Sequence, residues 1–134
     1  MKRIYKNRLL KLAQHLQKGK LAHKKFNYAV FSAANVPIPE GACGTSGCAL
    51  GECPAIFNGW KWTHNYEAGG TYYDEVAPVY KNNSWVRESA DEFFGLTEHQ
   101  RDFLFFGLDK DGEQRLTRTR KFVAARIKKF VQEN

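Results

Sequence analysis

Nowhere in its 134 residues does the chain hold an apolar run approaching the roughly 18 that a membrane helix needs, so a transmembrane segment is excluded and no membrane partner is expected. An export signal is equally hard to find. The opening MKRIYKNRLLKLAQHLQ begins with charge, but basic and amide side chains interrupt every apolar run after it, leaving no uncharged h-region. There are only three cysteines, Cys43, Cys48 and Cys53, an odd number that cannot close into a disulfide framework. Reduced thiols in a cytoplasm follow as the economical expectation. Internal repeats and linker-like stretches are missing, and the length suits one domain over 1–134 that buries its own core. Helix-turn-helix, ribonucleoprotein and zinc-finger signatures are missing too.

Acidic residues are absent from the first 25 positions, which hold nine Lys or Arg. Residues 115–129 hold seven more basic groups and no acid, whereas residues 26–114 carry five basic against thirteen acidic groups. The formal net charge of +7 therefore comes from a basic–acidic–basic arrangement. Such asymmetry can attract a polyanion, or it can let two basic terminal helices pack on an acidic middle. An apolar share of 43% and an aromatic share of 14% argue against intrinsic disorder.

Leu9, Leu12, Ala13 and Leu16, with Ile4 or Tyr5 before them, follow the i, i+3, i+4, i+7 spacing of one apolar stripe and predict a helix over 3–17 ended by Gly19. Phe26, Tyr28 and Val30 alternate, which predicts a short extended piece over 26–32. Pro37 and Pro39 mark a loop. In CGTSGCALGECPAIF, Thr45 or Ser46 is placed to cap a short helix over 46–53, which Pro54 ends. Residues 57–73, with Trp60, Trp62, Tyr66, Tyr72 and Tyr73, have no clean period and read as a long loop. Val76 to Tyr80 and Ser84 to Arg87 flank Lys81, Asn82 and Asn83 as a hairpin, with Pro78 making the first an edge strand. Ser89 with Glu92 and Thr97 with Gln100 form two capping boxes, stopped by Gly95 and Gly107. Val123, Ile127, Phe130 and Val131 stripe a last helix starting near Thr117 or Thr119. The expected fold is α+β, a helix-dominated single domain with one β-hairpin and basic terminal helices.

Three segments, FNYAVF, CGTSGCALGECPAIF and FFGLTEHQRDFLFFG, together resemble a family of uncharacterised small proteins found mainly in tailed bacteriophages and in some bacteria. The matching residues are Phe26, Asn27 and Tyr28, then Cys43, Gly44, Thr45, Cys48 and Gly51 of a Cys-Gly-Thr-x-x-Cys-x-x-Gly element. Phe94, Gly95, Leu96, Thr97, Leu104 and Phe105 complete the match. The resemblance spans about residues 8–106; the very basic first helix, Cys53 and Pro54 depart from it. It implies a phage or phage-derived origin and a shared fold, and brings no activity with it.

Several residue sets bear chemistry. Cys43 before a helix start, with His64 as base, has the makings of a cysteine hydrolase or transferase, although cysteine is more often a small buried hydrophobe. Gly44, Thr45 and Ser46 at the same helix start can cradle an anion. Gly47 and Gly51, one turn apart, fit a helix packed tightly on a neighbour. A zinc site from Cys43, Cys48, Cys53 and His64 fails on spacing, because five-residue steps turn each thiol about 140° from the last on a helix. DKDGEQRLT starts like a calcium loop at Asp109, Asp111 and Glu113, yet Gln114 and Arg120 stand where glycine and glutamate belong. No metal and no cofactor are expected. Trp60, Trp62, Tyr66 and Tyr72 are candidate binding aromatics, and Lys6, Lys11 and Lys18 candidate phosphate contacts. The leading expectation is a non-enzymatic phage-type accessory protein that binds a host macromolecule, above all a host protein, in the host cytoplasm. The alternatives are a nucleic-acid or nucleotide binder and, third, the cysteine-dependent enzyme.

Overall fold

The computed structural model describes residues 1–22, 25–26, 46–65, 75–107 and 118–134. Helix α1 (Arg3–Lys18) buries Leu9, Leu12, Ala13 and Leu16, the stripe expected from the sequence. Gly19 ends it in the left-handed region at φ 74°, donating its N–H to the His15 carbonyl. The short strands β1 (Lys25–Phe26) and β2 (Ser46–Gly47) pair in parallel. After β2 the chain turns through a 3₁₀ segment at Leu50–Glu52 into a one-turn helix, α2 (Cys53–Ile56), with Pro54 in its first turn. Proline is tolerated there because the missing N–H would have no intrahelical acceptor.

Strand β3 (Trp60–Asn65) pairs antiparallel with β4 (Glu75–Tyr80), in a register that sets Trp60 opposite Tyr80 and Trp62 opposite Pro78. Helix α3 (Val86–Phe94) follows, then α4 (Glu98–Phe105) and α5 (Arg120–Glu133). The fold is α+β, dominated by helices, with one antiparallel hairpin. Among the described residues no helix is long and apolar enough to cross a membrane.

The core is largely aromatic where the hairpin meets α3. Trp60, Tyr80, Phe93 and Phe94 are buried, and their rings meet mostly edge to face, with Phe93 4.7 Å from Tyr80 and 5.5 Å from Trp60 between centroids. Gly95 ends α3 at φ 64°, and a Cβ there would lie 2.3 Å from the Tyr5 ring, so the glycine also admits α1. Helices α1 and α5 run antiparallel and pack along their stripes. The Met1 ammonium donates to the Asn134 carbonyl at 3.2 Å, and the Arg120 guanidinium donates to the carbonyls of Leu16 and Gln17 at 2.8 and 2.9 Å. A cation thus satisfies carbonyls that α1 leaves open at its C-terminal end.

Five expectations are corrected. The partner of β4 is β3, not residues 84–87, so part of the supposed 57–73 loop is strand; residues 84–87 instead lead into α3. Alternation does run through Trp60, Trp62 and His64, but the glycine-rich surroundings hide it. The helix expected over 46–53 is absent: Ser46 and Gly47 are strand, and helical turns begin only at Leu50. The tight helix face of Gly47 and Gly51 is therefore not formed. Ser89 does not cap α3 but lies inside it, its hydroxyl accepting from the Tyr80 N–H and donating to the Trp85 carbonyl, each at 2.8 Å. The capping box of Thr97 and Gln100 is formed as expected, and Thr119 caps α5. Expectations for residues 27–45 and for the DKDGEQRLT segment lie outside the described residues; Arg120, which stands where a calcium loop carries its last glutamate, begins α5.

Candidate functional site

Two groupings of polar or reactive side chains stand out. The first is buried around the 3₁₀ turn. Glu52 is fully buried, and its Oε1 meets His15 Nε2 at 2.8 Å and accepts the Ala22 N–H at 2.6 Å. This carboxylate ties the end of α1 and the chain just beyond it to the turn before α2. Cys48 and Cys53 are buried nearby as free thiols. Burial pushes the Cys48 thiol up to about 11, with Glu52 adding to the rise and backbone hydrogen bonds at Gly51 and Leu50 opposing it. Burial also raises Cys53, assisted by the charges of Cys48 and Glu52, and its thiol donates to the Ala49 carbonyl at 3.8 Å. Both are neutral thiols near pH 7 and poor nucleophiles.

Iodoacetamide at neutral pH should therefore leave Cys48 and Cys53 unmodified in the folded protein and alkylate both once urea unfolds it. Peptide mapping distinguishes them from Cys43. Fast labelling of Cys48 in the native state would show an accessible thiolate and sink this assignment.

Cys43, Gly44, Thr45, Tyr66 and Tyr72 lie outside the described residues, as does the side chain of His64. Ser46 sits in β2 and not at a helix start, so the expected anion cradle loses its helix end. Among the described residues no three His, Cys, Asp or Glu side chains are grouped to hold a metal ion. Trp60, a candidate binding aromatic, belongs to the core at 6% exposure, and Trp62 is half-buried. The aromatic character of that segment is spent on packing at Trp60. Nothing in the sequence marked His15 and Glu52 as partners, although an acid flanked by Leu50, Gly51 and Cys53 is a recognisable oddity.

The second grouping is a surface. On α1, Arg3, Lys11 and Lys18 are exposed and, at about 100° per residue, share an arc of about 80° turned away from the buried stripe. On α5, Lys121 and Lys129 are exposed and Lys128 is half-buried, off that helix's stripe. Lys128 donates to the Gln17 side chain, so its flank of α5 borders α1. The antiparallel pairing thus lays the two basic faces side by side. Lys6 is half-buried on α1 and is not part of the exposed arc with Lys11 and Lys18. Helix α1 contains no acid, and α5 contains one, Glu133.

Where described, α1 meets the middle of the chain through one carboxylate, Glu52 at His15, and otherwise through carbonyl and ring contacts. Arg8 of α1 donates to the Phe93 carbonyl at 2.8 Å and lies over the Phe93 ring, and Lys11 sits over Phe57. Acids of the middle segment instead surround Arg101, which meets Asp91 at 2.7 Å and Asp102 at 3.0 Å. Among the described residues, no lysine of α1 or α5 lies within ion-pair distance of a carboxylate.

No family model matches the chain, and no curated protein or solved structure shows significant similarity to it.

Proposed function

We propose that this protein acts by binding nucleic acid through the solvent face of the α1–α5 pair. The observation that carries this reading is the side-by-side placement of Arg3, Lys11 and Lys18 with Lys121, Lys128 and Lys129 across two antiparallel helices. Cations held together by a rigid scaffold reinforce one another's potential over about a Debye length of ~10 Å, and a phosphodiester chain is the polyanion that such an elongated face suits. Releasing the counterions condensed on that chain supplies the driving force.

The reading ranks above the host-protein alternative because Trp60 is in the core and cannot anchor a partner at the surface. It is compatible with the phage origin that the resemblance implies and with a host cytoplasm, where the free thiols of Cys48 and Cys53 stay reduced. Fluorescence anisotropy with labelled oligonucleotides over a salt series tests it. The logarithm of affinity should fall linearly with the logarithm of salt, at a slope of about −0.7 to −0.9 per phosphate contacted. Failure to bind at low salt, or binding indifferent to salt, would remove the reading.

A further inference from the structure

Where α5 meets α4, aromatic surface is left open beside the basic face. Phe122 is 42% exposed, and with Phe103 and Phe130 it walls a pocket of about 320 Å³. Arg126, Lys129 and Glu133 line the same pocket. Arg126 is held in place: its guanidinium stands 4.2 Å from the Phe103 centroid and 4.7 Å from that of Phe122, and it donates to the Phe103 carbonyl at 2.9 Å. Arg118 lies 4.8 Å over Phe122. Lys129 follows Phe122 by seven residues, so the two are about two turns apart on nearly the same line of the helix.

A purely apolar ligand would cover Lys129 without giving it an anion, which is costly. A simple anion would leave the phenyl walls unused. A nucleotide unit of a single strand fits both demands, because its ring can stack on phenyl and guanidinium planes while its phosphate meets an ammonium. Glu133 accepts only from a donor, which a base N–H provides and a phosphate does not. In a duplex the bases are paired and stacked, and none is free to enter.

Resting on the nucleic-acid reading above, we infer that the Phe103–Phe122–Phe130 pocket takes an unpaired base of a single strand whose phosphates follow the Lys121–Lys129 side of α5. Phe122→Ala tests this, since the exposed ring can be removed with little effect on the fold, checked by an unchanged melting temperature. Affinity for labelled oligothymidylate should fall about tenfold, equivalent to ~1.4 kcal/mol. The salt slope and the affinity for a duplex of equal length should stay as in the wild type. An abasic strand, with its phosphates intact and its rings absent, should bind both proteins alike. Oligouridylate run in parallel separates RNA from DNA as the source of the base, and a Phe122-dependent loss with either sugar supports the pocket. If Phe122→Ala binds oligothymidylate and oligouridylate as tightly as the wild type, the pocket assignment is overturned, while salt-dependent duplex binding would leave the broader reading standing. If the wild type binds neither strand nor duplex, both fall together.

Discussion

Replacing Glu52 by alanine is expected to cost about 3–5 kcal/mol, the range for stripping one partner from a buried, hydrogen-bonded polar contact and leaving a cavity. Glu52 is fully buried, and its Oε1 serves both His15 and the Ala22 N–H, so truncation strands two polar groups and opens a cavity. A domain of this size has about 5–15 kcal/mol in total, so the variant should be partly unfolded at ambient temperature. The urea midpoint reads the effect directly. Glu52→Gln keeps an oxygen and most of the volume and should fall between wild type and alanine. Replacing His15 and Glu52 together by leucine should recover part of the loss, because apolar groups of similar size often substitute for a buried pair without penalty. A midpoint for Glu52→Ala within error of the wild type would mean that the carboxylate holds nothing together.

That pair also marks where sequence reading reached its limit. Helix α1 was legible because its evidence is local: a 3.6-residue stripe from Leu9 to Leu16 and a glycine that can adopt positive φ at position 19. The Thr97–Gln100 box and the Thr119 cap were legible for the same reason, each being a bond between residues three apart. Glu52 and His15 are 37 positions apart, and nothing local announces such a contact. The β3–β4 hairpin failed for a related cause. Asn82 and Asn83 are ordinary turn residues, so they drew the pairing to the wrong side of β4, while the true partner lies across a long connection. Ser89 shows a second kind of error. Its hydroxyl was read as a cap for its own helix, but tertiary structure uses it to satisfy the backbone of Tyr80 at the end of β4.

The basic face was half legible. Charge counting found the two cationic ends, and helical periodicity separated lysines from the buried stripes, but neither could say whether the ends meet each other or the acidic middle. Packing of α1 on α5, tied by Arg120 at one end and Met1 at the other, brings the two ends together. The proposed base pocket was harder still. Its walls come from Phe103 on α4 and from Phe122 and Phe130 on α5, and Phe130 by itself reads as core.

Reversing Lys11, Lys18, Lys121 and Lys129 to glutamate should weaken nucleic-acid binding by roughly 100-fold or more at low salt, the loss that a salt increase from about 50 to 200 mM imposes on some four phosphate contacts. Each reversal removes two charges, so the four together take the formal net charge from +7 to −1. The fold should tolerate this, since all four side chains are exposed. The expected structural cost is confined to the Lys11 contact with the Phe57 ring, about 0.5–1 kcal/mol at an exposed site. The salt slope should flatten by about three units as the contacts disappear. Net charge alone is a competing cause, and Lys61→Glu with Lys81→Glu separates it. Both residues are exposed on or beside the hairpin, away from the two helices, and reversing them removes half as much charge without touching the proposed face. If binding depends on the α1–α5 surface, that double variant should keep affinity within a few-fold of the wild type. Equal losses per charge in the two variants would show that the whole protein acts as a diffuse cation, and the assignment of binding to the α1–α5 face would then have to be withdrawn.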